Sequence, residues 1–391
     1  MKTCLVSMVS DQTIPNILIT TALCPDYLLL ISTESMEKKK KSQSILNCLS
    51  VLNMDYRDRS TGILVPEGSI PDFYENVIDW IKVNRNQYKF IVNLTGGTKL
   101  MALAAYEIFK NYGAEMVYMP IPENIYFPVY RPTDTVSVPM RLSVEAYLTA
   151  YGVSIINRKD LENARELAHS RKASTYYLFE NYKDLEFLLQ HMGKKLRTLR
   201  RKDVKSGLYF SMVYQIEKSV EKNFLSQLGF VCANGSVSKR VYTSDWNYLR
   251  GGWLEERVFL ALESILPRDD SDICLGVQCA VNGNDNEYDV LFTYKNILYV
   301  VECKSLESPI GNGNQIKGGT INDFLYKLGA LRQHFGLTPK GILATTSNKV
   351  LDKNGDIKSH LVDRGRQFNT QLIPLWQVSD PEGWLKERLM K

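Results

Sequence analysis

Asp289 and Glu302 stand 13 positions apart in EYDVLFTYKNILYVVECK, and Lys304 follows the glutamate by two. If Lys295 and Asn296 make a two-residue turn between two strands, Tyr294 faces Ile297, and counting outward sets Asp289 across from Glu302. Their Cβ atoms would then lie ~4.5–5.5 Å apart. Alternation along the strand sends Glu302 and Lys304 to one face and Cys303 to the other. Like charges facing each other across a ladder destabilise a sheet, and a bound cation resolves the conflict. Hard divalent ions take oxygen ligands, so the expected set is Asp289, Glu302, the main-chain carbonyl of Cys303 and one upstream carboxylate. Such an ion acidifies bound water and neutralises charge on a phosphate, while Lys304 orients the attacking water or stabilises the transition state. This is the chemistry of phosphodiester hydrolysis. The opposing account leaves both carboxylates at exposed strand edges with Lys304 pairing one of them. A slip of one residue at the turn would carry Asp289 to the other face.

The upstream carboxylate comes from GGWLEERV, where Glu255 and Glu256 diverge by about 100° on a helix, so only one can face the site. Glu255 is the expected one and Glu256 the solvated alternative. Glu287 shares the face of Asp289 and is a candidate for a second ion. Lys327 and Arg332, on a helix after a glycine-rich stretch, either touch a nucleic-acid backbone or form a solvated face.

A second constellation lies in KFIVNLTGGTKLMALAAYEIF, where Asn93, Thr95, Gly96, Gly97, Thr98 and Lys99 join a strand to a helix. Glycines let the backbone approach a ligand, and the free amides of a helix's first turn attract anions. The spacing matches neither a Walker loop nor a dinucleotide fingerprint. The same residues also suit a tight turn capped by Thr98.

The elements that must carry these residues follow from the apolar patterning. Through residue 120, short apolar runs (CLVSMVS, YLLLIST, KFIVNLT, EMVYM) alternate with helical patterns, which predicts an open, Rossmann-like α/β domain over 1–145. Ligands in such sheets bind where strands end, which singles out the loop from Ser10 to Asn16, with Ser10, Asp11, Gln12 and Thr13, beside the loop from Thr95 to Lys99. IYFPVYRPTDTVSVPM reads as a hairpin-like exit. Residues 146–235 read as helical and basic with no clear strand, either a helix-turn-helix variant or a plain connector. From 236 to 391 a helix, three strands (ICLGVQCAV, EYDVLFTY, ILYVVECK), a helix and the strand GILATT give the order that a compact metal-dependent nuclease core, such as a restriction-endonuclease-like α/β domain, needs, an order that many other α/β domains share.

Composition narrows the classes. Residues 146–205 hold 13 Lys and Arg against 7 Asp and Glu, while the flanking segments are balanced, so the excess charge of the chain sits there. The run Lys194, Lys195, Arg197, Arg200, Arg201, Lys202 and Lys205 is either a phosphate-binding surface or a solvated face. Seven cysteines without a C-x-x-C pair argue against disulfides and zinc, and four scattered histidines (His169, His191, His334, His360) argue against a histidine-based site. No stretch approaches the ~18 apolar residues of a membrane span, and the N-terminus does not read as a signal peptide, so a cytoplasmic location is expected.

Taken in order, the Ser10–Asp11–Gln12 loop, N-x-T-G-G-T-K, G-G-W-L-E-E and D-x(12)-E-C-K resemble the CRISPR-associated Rossmann-fold (CARF) nucleases with a PD-(D/E)xK domain. The resemblance spans the whole chain and is least distinctive in the middle. It implies a homodimer whose paired CARF domains bind cyclic tetra-adenylate, a messenger of type III CRISPR defence. It also implies a nuclease using Mn2+ or Mg2+ on single-stranded DNA or RNA, or on supercoiled DNA. By position, Ser10, Gln12, Thr98 and Lys99 would contact the ring, and Glu255, Asp289, Glu302 and Lys304 would form the nuclease site. Two other accounts compete: a ligand-responsive nucleic-acid-binding regulator without catalysis, and an N-terminal domain that degrades the ring.

Overall fold

Cys4, Val6 and Met8 alternate with Leu5 and Ser7 along the first strand, and all five are buried, so this strand must be covered on both faces. The computed structural model describes residues 1–281, 284–305 and 321–375, together with Val378, Asp380, Gly383, Trp384 and Glu387. Its first domain runs β1 (Lys2–Met8), α1 (Ile14–Leu23), β2 (Tyr27–Ser32), α2 (Glu34–Lys38), α3 (Lys41–Val51), β3 (Ser60–Leu64), α4 (Ile70–Asn84), β4 (Tyr88–Asn93), α5 (Lys99–Lys110), β5 (Glu115–Tyr118), β6 (Ile125–Pro128) and β7 (Val136–Ser137). The sheet order is β3-β2-β1-β4-β5-β6-β7, parallel as far as β5, with β6 and β7 returning antiparallel. Cys4, Val6 and Met8 face α4 and α5, while Leu5 faces α1 and α3. After β1 the chain moves to β2 on one side and later returns to β4 on the other. The cleft between the carboxyl ends of β1 and β4 is therefore a topological switch point.

The middle segment is not the helical connector expected. It contains α6 (Val144–Ala150), β8 (Ser154–Ile155), α7 (Arg158–Ser170), α8 (Lys172–Glu180), α9 (Tyr182–Leu196), α10 (Arg201–Val204), β9 (Leu208–Val213), α11 (Ser219–Gln227), β10 (Val231–Ala233) and β11 (Ser236–Val241). The last three strands form their own sheet, ordered β10-β11-β9. Phe210 and Met212 are buried while Tyr209, Ser211 and Val213 are exposed, a period of two that the neighbouring basic run obscures in the sequence. The hairpin of β10 and β11 spans residue 235, where the sequence reading placed a boundary.

Next come α12 (Thr243–Asn247), a π-turn over Tyr248–Gly252, α13 (Trp253–Ile265), β12 (Ser271–Val281), β13 (Asn284–Tyr294), β14 (Ile297–Lys304), α14 (Ile321–Arg332), β15 (Lys340–Thr345), α15 (Ser359–Gln367) and β16 (Thr370–Pro374). These strands form a six-stranded sheet, β16-β15-β14-β13-β12-β8, completed by a strand from the middle segment. One hydrophobic cluster runs through both halves: Leu5, Ile17, Leu28 and Ile45 join Tyr147, Val277, Tyr288, Leu291, Val300 and Phe335.

The β13–β14 turn ties the halves by hydrogen bonds. Lys295 and Asn296 have φ of 49° and 62°, the left-handed pair of a type I′ turn. The Asn296 side chain accepts from the Leu142 amide at 2.8 Å and donates to the Met140 carbonyl at 2.9 Å and to Asn124 Oδ1 at 2.8 Å. Asn296→Ala removes these bonds and places alanine at positive φ. It should cost about 2–4 kcal/mol in urea unfolding, with Asn296→Gly costing less because glycine keeps the turn; equal stability of all three proteins would contradict this role.

Candidate functional site

Tyr294↔Ile297 through Val290↔Val301 are paired in the hairpin, a register that carries on to set Asp289 opposite Glu302. Glu302 is buried at 3% exposure. Lys304 Nζ lies 2.7 Å from Glu302 Oε1 and 3.7 Å from Asp289 Oδ2, so one ammonium bridges the facing carboxylates. It also lies 5.2 Å from the centroid of the Phe324 ring on α14. Asp289 Oδ2 accepts from the Cys303 amide at 2.6 Å, which fixes its carboxylate against the strand.

The first turn of α13 supplies the third carboxyl. Burial, and then the charge of Asp289, push Glu255 up to about 8, against the opposing pull of Lys304. Glu287, which is exposed, adds to this rise through its charge. Glu256 is not solvated: it is buried and paired with Arg171, whose guanidinium also stacks over Tyr248. Burial opposes the charge on Lys304, but Asp289 and Glu302 outweigh it and lift the ammonium to about 12.

Among the described residues no three His, Cys, Asp or Glu side chains are gathered into a metal cage. Asp289 turns an oxygen to the Cys303 amide, and Lys304 bridges the facing carboxylates. The donors nevertheless suit a hard cation. Asp289 and Glu302 present anionic oxygens from facing strands, and Glu255 is raised first by burial and then by the charge of Asp289.

The second site lies at the switch point. A cavity of ≈ 490 Å³ opens between the loops after β1 and β4, lined among others by Ser10, Asp11, Gln12, Thr95, Gly96, Gly97 and Thr98. Thr98 caps α5 by accepting from the Met101 amide at 3.2 Å, as the turn reading expects, and the same loop lines the cavity. Gly96 packs onto the Met8 carbonyl so closely that a Cβ would collide with it.

Three residues expected at the ligand do not line the cavity. Thr13 is fully buried and donates to the Ala150 carbonyl at 2.6 Å. Asn93 is also fully buried; it donates to Asn16 at 3.2 Å and accepts from the Thr95 amide at 3.1 Å, bracing the two loops from below. Lys99 is exposed at the start of α5, outside the lining. Thr33, Met36, Glu67, Ile121 and Leu337 line the cavity and were missed. Thr33 directly follows β2 and caps α2, so it was discoverable by the rule that ligands sit at strand ends, whereas Leu337 belongs to the other half and carries no sequence signal. The basic run falls on α9, α10 and their junction, and its charged residues are exposed. The glycine-rich stretch and the side chains of Lys327 and Arg332 lie outside the described residues.

The Card1 CARF domain family matches residues 4–147, and the Card1-like endonuclease domain family matches residues 244–370. The chain joins a Card1-type CARF domain to a Card1-like endonuclease domain. Protein VC1899 from Vibrio cholerae shares this architecture with a TM-score of 0.78 at 17% identity, over 98% of this chain and 97% of the other. Can2 from Sulfobacillus thermosulfidooxidans, solved in complex with cyclic tetra-adenylate, gives 0.70 at 18% identity over 96% and 97%. A type III CRISPR defence DNA nuclease activated by cyclic oligoadenylate gives 0.54 at 17% identity, over 88% of this chain and 45% of that one. At these identities the likeness to solved structures is one of fold. No curated protein matches the chain. The cavity lies in the CARF domain, and the carboxylates and Lys304 lie in the endonuclease domain.

Glu255 gives the endonuclease domain a pH signature. Its folded value of about 8 exceeds the ordinary 4.5, so the folded state holds an extra proton between them. The stability this contributes is complete below pH 4.5 and is lost as pH rises to about 8. In metal-free buffer, urea unfolding of the wild type should weaken across that window relative to Glu255→Gln, then run parallel above it; parallel curves throughout would contradict the placement of Glu255.

Proposed function

We propose that this protein is a divalent-metal-dependent endonuclease, switched on by cyclic tetra-adenylate in type III CRISPR defence. The observation that carries the reading is the convergence of Glu255, Asp289 and Glu302 with Lys304 inside a Card1-like endonuclease domain, on a chain whose CARF domain holds an open cavity. Solved Can2, of the same fold, holds cyclic tetra-adenylate.

Each residue has a task in phosphodiester hydrolysis. Asp289 and Glu302 present anionic oxygens from facing strands, with the Cys303 amide holding Asp289 in place. Lys304, tethered by Glu302, exchanges its carboxylate contact for a phosphate oxygen and neutralises charge that grows in the transition state. Glu255 closes the pocket from α13. A manganese or magnesium ion bound among these carboxylates would supply an acidified water and screen the phosphate. The substrate is single-stranded DNA or RNA, or supercoiled DNA.

The sensing side asks for two copies. A ring with two-fold symmetry is met by an isologous pair of cavities. Leu100 and Leu103 on α5 and Tyr118 at the end of β5 are exposed apolar residues of the CARF domain, a surface suited to a homodimer. A regulator without catalysis is disfavoured, because it has no use for a buried Glu302 and Lys304 on the inner strand of the endonuclease sheet.

Glu302→Ala and Lys304→Ala should each lower ring-activated cleavage by at least about 100-fold, with the affinity for cyclic tetra-adenylate unchanged. Calorimetric Mn2+ binding should be lost in Glu302→Ala. Full cutting by either variant would sink the site, and unaltered Mn2+ binding by Glu302→Ala would sink the metal's place in it.

A further inference from the structure

The wall of the CARF cavity contains one residue from the endonuclease domain. Leu337 is 81% exposed, and the surface it exposes lines the cavity with Ser10, Gln12, Gly97, Thr98 and Ile121. It is held there by contacts to the loop after β1. The Leu337 amide donates to Gln12 Oε1 at 3.2 Å, and the Tyr151 hydroxyl donates to the same oxygen at 3.4 Å. Gly336, at φ +89°, packs so tightly on Tyr151 and Gln12 that no larger residue fits without displacing them. Below, the buried Tyr147 donates to the Phe335 carbonyl at 3.4 Å and lies 3.2 Å from Thr338 Oγ1. Residues 335–338 are thus pinned to the CARF side at several points.

From Leu337 the chain leads to the catalytic strand in both directions. Forward, it enters β15, which pairs in parallel with β14 so that Leu343 adjoins Glu302 and Thr345 adjoins Lys304. Backward, through the turn Gln333–Phe335, it enters α14, whose Phe324 lies against Lys304. A carbonyl oxygen has two lone pairs, and both on Gln12 Oε1 are taken, by Leu337 and Tyr151. A ligand amino group that bonds this oxygen must displace one of them. We propose that Leu337 is a binding residue of the CARF cavity, packing against an adenine of the ring, and that release of its amide from Gln12 is the step that shifts β15 and α14 against Glu302 and Lys304. The inference rests on reading the cavity as the site for cyclic tetra-adenylate, and it adds a residue and a route that neither domain shows alone.

The test uses full-length protein and cyclic tetra-adenylate, with affinity by calorimetry, single-turnover cleavage at saturating ring, and hydrogen exchange of the amides from 335 to 345. Leu337→Ala alters an exposed side chain and should leave the thermal midpoint in place. It should weaken binding about tenfold, the scale of one leucine's lost cover, and lower the rate at saturation. In the wild type, the ring should speed exchange at the Leu337 amide and change it along β15. A Leu337→Ala protein that matches the wild type in both affinity and saturated rate overturns the binding role. Unchanged exchange from 335 to 345 on ring binding overturns the route. A wild type that binds no ring overturns the reading of the cavity itself, and with it the ligand named here.

Discussion

Both residues of the turn between β13 and β14 hold positive φ, and the twist this gives the hairpin fits a two-residue connection with Tyr294 facing Ile297. Every pairing outward is then determined, because a strand cannot slip by one residue without exchanging its faces. Val290 and Leu291 go to opposite cores, and Asp289 arrives across from Glu302 with Lys304 between them. The same turn reaches beyond its sheet. Asn296 binds the backbone at Met140 and Leu142, so the register of the catalytic hairpin and its attachment to the first domain depend on one side chain.

That attachment makes the two domains mechanically continuous. They share one hydrophobic cluster, and close-packed interiors pass displacement on rather than dissipating it. In the structure the Lys304 ammonium bridges Asp289 and Glu302, one positive charge against two carboxylates, and burial favours the protonated form of Glu255. Under the proposed coupling, β15 beside β14 and α14 with Phe324 against Lys304 are the elements placed to disturb these contacts.

The parts of this molecule legible in sequence are those governed by local periodicity and turn chemistry. Double-sided apolar strands gave the Rossmann-like order, and counting from Lys295-Asn296 gave the Asp289 register. The hundred-degree rule separated Glu255 from Glu256, although it could not say that Glu256 is buried on Arg171. What escaped depended on distant partners. β9 pairs with β11 across an intervening helix, so its alternation had no neighbouring strand to support it. Thr13 and Asn93 have the chemistry of ligand contacts, but Ala150 and Asn16 claim them from elements that local spacing does not reveal. Leu337 reaches the cavity through a contact between residues 325 positions apart in the chain.

The central claim is that the chemistry in the endonuclease domain waits on occupancy of the CARF cavity. Its most direct measurement is the cleavage rate of labelled single-stranded DNA, single-stranded RNA and supercoiled plasmid by the wild-type protein, with cyclic tetra-adenylate and Mn2+ each added or withheld. The account predicts cleavage of at least one substrate when both are present, and a rate near background when either is missing. Equal cleavage with and without the ring would contradict it.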